Sequence, residues 1–354
     1  MQPFSRAELE RTIARGRERP ATRHAVRRIP VETIQHDRNH IAAVMDPKNV
    51  VVDHYEAVSS ENEEQGWFPF RVAKNKTVTG HARRPVVIFL HPTGSSREYH
   101  AQWEIKYLNK GYITVDLDMR YHGKRVDPNL EYQEALVAAW KNGGSERPFL
   151  LDNVWDLQCL VDFLVNERED VDPERIAVTG MSLGGMHSWL LAAVDERIAC
   201  CAPISGVQYF KYAIDNDLYY ERVNSIPNVF QVATREVQGC GVEDKKFPEC
   251  VEAGTVQEVW NRILPGMLEY YDADKSLAMI APRPLLIVTG VSDMRCPVQG
   301  IRLALKSAES AYSEQGVPQN VKLYVDMEAG HELTSAMMEQ VERWMDSHLL
   351  QPGS

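Results

Sequence analysis

Gly180-Met181-Ser182-Leu183-Gly184 holds the group in this chain best placed for covalent chemistry. A serine hydroxyl attacks a carbonyl carbon only when a base takes its proton in the transition state. The base in turn needs an acid behind it, which fixes its tautomer and stabilises the cation it becomes. Both lie downstream in the order serine, acid, histidine: Asp293 in Gly290-Val-Ser-Asp293-Met-Arg-Cys-Pro297, and His331 directly after Gly330. Ser182 is therefore the candidate nucleophile, His331 the base and Asp293 the acid.

Other residues compete for these roles. His348 falls near the end of the chain's last helix among leucines. His91 stands at a strand end, where a structural hydrogen bond to a neighbouring loop explains it, and His187 reads as a packed helix residue. Asp326 and Glu328 are closer to His331 in sequence, but Asp326 falls inside an expected strand and would point into a sheet face. Asp272 and Asp274 read as a solvated face.

An oxyanion needs preorganised N–H donors. The amide of Leu183, next to the nucleophile, is one. The second is expected in His91-Pro92-Thr93-Gly94. Pro92 has no N–H, so Thr93 is the donor, and Gly94 lets the backbone approach closely. Candidate substrate contacts are Gly94, Tyr121, Arg125, Tyr209 and Trp260. Arg120, Lys124 and Arg125 in Asp118-Met-Arg120-Tyr121-His122-Gly123-Lys124-Arg125 would suit a polar or acidic substrate. The alternative there is a structural loop with an internal Asp–Arg pair.

These residues act together only if the fold gathers them, and the elements around them are of that kind. Arg175 to Thr179 reads as a strand, and Met186 to Ala193 as a helix. The serine thus sits on a tight turn from strand to helix, where small flanking residues make a strained backbone tolerable. Strand-like runs recur at Val50–Val58, Trp67–Val72, Pro85–Leu90, Tyr112–Asp118, Ile198–Ile204, Pro284–Gly290 and Val321–Asp326. Helices are expected over about Tyr99–Lys110, Asn153–Asn166 with Asp152 as N-cap, and Leu333–Leu349. This alternation predicts an α/β fold with a mostly parallel sheet covered by helices on both faces. Residues 1–48 read as an N-terminal helical arm and 49–349 as the α/β domain. An inserted, mostly helical cap rich in aromatics is expected at about 207–282.

Composition narrows the function classes. The 354 residues are 44% hydrophobic and 25% charged, enough for a sizeable core, and the formal net charge is −11. An acidic chain is a poor non-specific ligand for nucleic acid or an anionic membrane. No run of about twenty apolar residues suggests a span, and no signal-peptide pattern opens the chain, so a cytoplasmic protein is expected. Six cysteines in a chain of this length are no disulfide framework. Cys159, Cys200 and Cys201 read as buried, Cys240 and Cys250 could pair under oxidising conditions, and no spacing suggests a metal site. No cofactor is implied. The partner expected is a small-molecule ester, with a homo-oligomer through the N-terminal arm as a further arrangement.

Taken together, His91-Pro-Thr-Gly94, Asp118-Met-Arg-Tyr-His-Gly123, Gly180-Met-Ser-Leu-Gly-Gly185, Ala281-Pro-Arg-Pro-Leu-Leu-Ile-Val-Thr-Gly290 with Asp293, and Gly330-His331 resemble the α/β-hydrolase superfamily. Within it they resemble the branch of dienelactone hydrolase-like proteins, acetyl xylan esterase-like proteins and prolyl oligopeptidase catalytic domains. The resemblance covers roughly Val50 to Leu349 and implies a metal-independent serine esterase with Ser182, His331 and Asp293 as its triad. The chain departs from the pattern in three respects. Dienelactone hydrolases proper use cysteine as nucleophile, many members carry His-Gly where His91-Pro92 stands, and prolyl oligopeptidases add a propeller for which there is no room. A peptidase or amidase is the rival within enzymes, and a ligand receptor that kept the fold is the rival outside them.

Overall fold

The computed structural model describes residues 4–21, 25–30, 49–78, 83–142, 146–239 and 247–350. Alternation decides how the sheet is used. Along β4 (Arg84–Leu90), Val86, Ile88 and Leu90 enter one buried cluster and Val87 and Phe89 another, so the sheet is apolar on both faces. The first cluster contains helices Leu151–Glu167, Leu183–Val194 and Val298–Glu314; the second contains Ala101–Asn109 and Ser335–Leu349.

Among the described residues nine strands form one sheet. They are β1 (Val26–Arg28), β2 (Val50–Val58), β3 (Trp67–Asn75), β4, β5 (Ile113–Leu117), β6 (Val171–Met181), β7 (Ile198–Ile204), β8 (Leu285–Gly290) and β9 (Val321–Asp326), in the order β1-β2-β3-β5-β4-β6-β7-β8-β9. Pairing is antiparallel from β1 through to β5 and parallel across β5, β4, β6, β7, β8 and β9. The parallel register sets Leu90 beside Gly180, Met181 beside Ile204, and Gly290 beside Asp326. The loops leaving β4, β6, β8 and β9 therefore emerge along one edge of the sheet, where ligands bind in open parallel sheets.

Several boundaries differ from those expected, for local reasons. Strand β6 begins at Val171 because polar Asp172–Arg175, which have no strand-like pattern, follow a residue paired with Arg84. Asp152 is not an N-cap: Leu150 precedes the helix, and Asp152 lies buried in its first turn, facing Arg15 and Arg17. In the N-terminal segment, a capping box between Ser5 and Glu8 starts helix Arg6–Ala14, which buries Leu9 and Ile13 in the main core. Val26–Arg28 is a strand on the sheet edge rather than part of a helix.

Between β7 and β8 the chain leaves the sheet for short helices: Phe210–Asp215, Tyr220–Ser225, Pro227–Gln238, Ala253–Ile263 and Ala273–Ser276. Asp272 is not on a solvated face. It is fully buried and accepts the amides of Phe210, Lys211 and Ala273 at 3.0, 2.8 and 2.8 Å, and burial pushes its carboxyl up to about 7. Cys159, Cys200, Cys201 and Cys250 are free and buried; Cys240 lies outside the described residues. Among the described residues no helix is long and apolar enough to cross a membrane.

Candidate active site

The backbone at Ser182 is where the sheet's geometry becomes chemistry. Ser182 has φ 56° and ψ −112°, a conformation non-glycine residues rarely adopt, and helix Leu183–Val194 starts immediately after it. The turn is held by the Ser182 amide donating to Ile204 O at 2.9 Å. It is tight enough to exclude side chains. A Cβ on Gly184 would meet Leu90 O at 2.0 Å, one on Gly180 the same oxygen at 2.5 Å, and one on Gly185 Ile204 O at 2.7 Å. Strand, serine and helix thus pack backbone to backbone against the ends of β4 and β7.

The loops from β8 and β9 bring the other two residues to this turn. His331 Nε2 lies 2.8 Å from Ser182 Oγ, and its Nδ1 lies 2.9 and 3.0 Å from the two Asp293 oxygens. The carboxylate can only accept, so Nδ1 carries the proton and Nε2 offers a lone pair to the serine hydroxyl. The amides of Arg295 and Cys296 donate to Asp293 Oδ1 at 2.9 and 3.0 Å, which fixes the acid's orientation. The two loops are joined by Val291 N to Asp326 O and Ser292 N to Ala329 O, at 2.9 and 3.1 Å.

Burial raises the Asp293 carboxyl, but the hydrogen bond and charge of His331, the Cys296 amide and Arg222 outweigh it and hold it below its ordinary value. For His331, burial disfavours the imidazolium; Asp293 opposes this, Arg222 and Arg295 add to it, and the net shift is downward. Both partners are thus in the states a base and its acid require: a neutral imidazole on a carboxylate. The rival acid, Asp326, is taken up by Thr334 Oγ1 and the Glu328 amide at 2.7 and 3.1 Å.

Beside the serine, Leu183 has the first amide of its helix, which has no intrahelical acceptor. The loop after β4 carries Thr93 and Gly94, the latter with φ +73°. Among the described residues neither the Leu183 nor the Thr93 amide is paired with a backbone acceptor. His91 serves as a strut: its Nδ1–H donates to Pro92 O at 2.8 Å and its Nε2 accepts the Met119 amide at 3.0 Å. His187 is a buried helix residue bonded to Phe149 O at 3.1 Å. His348, at the far end, packs tilted against Trp344.

A pocket of about 380 Å³ adjoins the same loop, lined by Thr93, Gly94, Tyr121, His122, Glu131 and Tyr132 with their neighbours. Gly94 and Tyr121 line this pocket, the Tyr121 hydroxyl donating to Glu146. Tyr209 is not among the residues lining this pocket; it stacks on Tyr212 with ring centroids 6.1 Å apart. Two candidates are displaced outright. Arg125 is buried, with Nη2 on Asp156 at 2.8 Å and on Gln65 O, so its charge is spent inside the protein. Trp260 is 1% exposed and packs among Phe149, Phe210 and Phe230 as core of the inserted segment. Nor does Arg120 pair with Asp118; it reaches Asp156 at 2.9 Å and Glu63 at 2.7 Å.

Among the described residues the one grouping with metal-ligand chemistry is Asp293, Cys296 and His331, one donor atom each within 4.8 Å of one another. Its Asp and His atoms already bond each other, and burial keeps the Cys296 thiol protonated, donating to Ser205 O at 3.3 Å.

No family model matches the chain. Among solved structures, the chain superimposes on acetyl xylan esterase 1 from Thermoanaerobacterium sp. with a TM-score of 0.62 at 16% identity, covering 98% of this chain and 94% of that one. The chain has the α/β-hydrolase fold. Two curated Bacillus subtilis proteins are similar in sequence to this chain. "Putative esterase YitV" is 23% identical over 294 residues, covering 82% of this chain and all of YitV. "Putative hydrolase YtaP" is 24% identical over 196 residues, covering 55% of this chain and 53% of YtaP, so the match spans about half of that relative's length.

The residue beside this candidate site that sequence reasoning missed is Arg222. It lies on the short helix Tyr220–Ser225, and its charge acts on both Asp293 and His331. A single arginine in an aromatic-rich, pattern-free segment carries no signal of that position.

Proposed function

We propose that this protein is a serine hydrolase acting on carboxylic esters of small molecules. The observation that carries the reading is the unbroken relay from Asp293 through His331 to Ser182, with both contacts at 2.9 Å or less. Ser182 Oγ attacks the ester carbonyl while its proton passes to His331 Nε2. The Leu183 and Thr93 amides hold the oxyanion. His331 then protonates the departing alcohol, leaving an acyl group on Ser182. A water attacks this acyl-enzyme, giving its proton to His331, and the acid leaves as Ser182 recovers its proton. The names of an acetyl xylan esterase and of "Putative esterase YitV" favour ester cleavage, while a dipeptidyl aminopeptidase and an acylaminoacyl peptidase share the fold. The helices between β7 and β8 form a cap beside this site.

A fluorophosphonate probe should label the wild-type protein, and Ser182→Ala should abolish both labelling and hydrolysis of p-nitrophenyl acetate. An unlabelled wild type, or equal labelling of the variant, would overturn the reading.

A further inference from the structure

A buried guanidinium is unfavourable unless a carboxylate answers its charge. Five arginines among the described residues are buried: Arg71, Arg97, Arg120, Arg125 and Arg222. Four have a carboxylate close by, Arg71 on Asp116 at 2.7 Å, Arg97 near Asp118 at 3.9 Å, and Arg120 and Arg125 on Asp156 at 2.9 and 2.8 Å. Arg222, 3% exposed, has no carboxylate partner among the described residues.

Its hydrogen bonds all go to neutral acceptors. Nε donates to Gln208 Oε1 at 2.8 Å, and Nη2 faces Cys296 Sγ at 3.4 Å and Arg295 O at 3.5 Å. Nη1 has no hydrogen-bond partner among the described residues, and it is not one of the fully buried orphan atoms, so it keeps some exposure. Arg295 and Cys296 are the residues whose amides hold Asp293, which places the guanidinium against the acid's own turn. Its charge is also felt at His331 and at Tyr132, in the wall of the pocket beside Thr93. The guanidinium is therefore packed against the turn that holds Asp293, the residue paired with His331, with one nitrogen unpartnered among the described residues. Asp293 does not satisfy it by contact, being occupied by His331 and two amides.

We propose that Arg222 recognises a carboxylate on the substrate, so that the preferred substrates are anionic esters with the carboxylate a few bonds from the scissile carbonyl. A carboxylate supplies the in-plane acceptor a guanidinium fork is shaped for. The cation that the sequence suggested on the 118–125 loop is thus supplied from the segment between β7 and β8. This inference rests on the ester-hydrolase reading above.

Two ester pairs test it and separate the carboxylate's two sources. For the acyl side, p-nitrophenyl glutarate is compared with its neutral methyl ester; for the alcohol side, p-acetoxybenzoate with methyl p-acetoxybenzoate. The wild type should favour the anionic member of at least one pair in kcat/KM by about tenfold or more, as a charge-assisted hydrogen bond allows, and the preference should shrink with added salt. Arg222→Met should bring that ratio near unity, and Arg222→Lys should retain part of it. A wild type without preference in either pair overturns the inference, and this holds even if the variants fail to fold. So does an Arg222→Met enzyme that loses activity on both members equally, the result of a purely structural clamp. Hydrolysis of the neutral members together with labelling of Ser182 reports separately on the ester-hydrolase reading: their absence in wild type removes that reading, and their persistence without anion preference removes this inference alone.

Discussion

In the proposed mechanism His331 takes the proton of Ser182 and must itself be unprotonated, so its environment sets the acid limb of activity. Burial disfavours the imidazolium and wins over the stabilising Asp293 carboxylate, leaving the group below its ordinary 6.5. A base with a depressed pKa is lost only when pH falls through that lower value. kcat/KM on a neutral ester should therefore hold through neutral pH and fall along a limb centred below 6.5; a limb centred at or above that value would contradict the electrostatic account. Residue type and chain order are enough to pick out Ser182, Asp293 and His331, three residues that the structure brings into hydrogen-bond contact. The same reasoning misplaced Arg125 and Trp260, because a side chain's partner is set by distant sequence. Arg125 meets Asp156, 31 positions on, and Trp260 meets Phe149 far upstream.

At the scale of elements, the strand-to-helix turn works by close approach. A methyl group on Gly184 would sit 2.0 Å from the backbone oxygen of Leu90, where no side-chain rotation can relieve it. Gly184→Ala should destabilise the fold by about 1–3 kcal/mol or more and, by shifting the helix that carries Leu183, cut kcat/KM by roughly a hundredfold. Gly254, in helix Ala253–Ile263, has nothing within 4 Å of the same position. There Gly254→Ala should stabilise by about 0.4–1 kcal/mol. Chemical denaturation of both variants checks the contrast; equal effects would refute it. Apolar strands such as Ile198–Ile204 and Leu285–Gly290 could be bounded from sequence to within about a residue because burial on both faces leaves an uninterrupted apolar or β-branched signature. The start of β6 could not, since Asp172–Arg175 are an unpaired irregularity between Val171, which pairs with Arg84, and Ile176, which pairs with Val86.

Across the whole molecule, buried charge ties separate segments together. Asp156 on helix Leu151–Glu167 accepts from Arg120 at 2.9 Å, Arg125 at 2.8 Å and Ser59 at 2.5 Å, while neighbouring Asp152 faces Arg15 and Arg17 from the N-terminal segment. Burial opposes the Asp156 charge, but the two arginines and their hydrogen bonds outweigh it, lowering the group from 3.8 to about 2. A carboxylate depressed in the folded state contributes stability above its unfolded pKa and loses it as pH falls through the folded one. The acid-induced loss should therefore run from about 3.8 down to about 2. Asp156→Asn leaves two buried guanidinium groups underpaired and should cost about 3–5 kcal/mol at neutral pH, with a shallower stability decline in that acid window. Urea unfolding at several pH values measures both; an unchanged slope would show that the network is not the titrating element.

Sequence alone determined what local chemistry determines. The Gly-x-Ser-x-Gly turn, the order serine, aspartate, histidine, and the alternation of apolar strands with helices each follow from constraints a few residues long, and so survive in the string of letters. Only the tertiary structure decided which charges are consumed and which remain. Arg120 and Arg125 are neutralised by carboxylates, whereas Arg222 is buried without one beside the acid's turn. Charge pairing at close range depends on positions brought together across the sheet, and nothing in the spacing of an arginine along the chain records where its counter-ion lies.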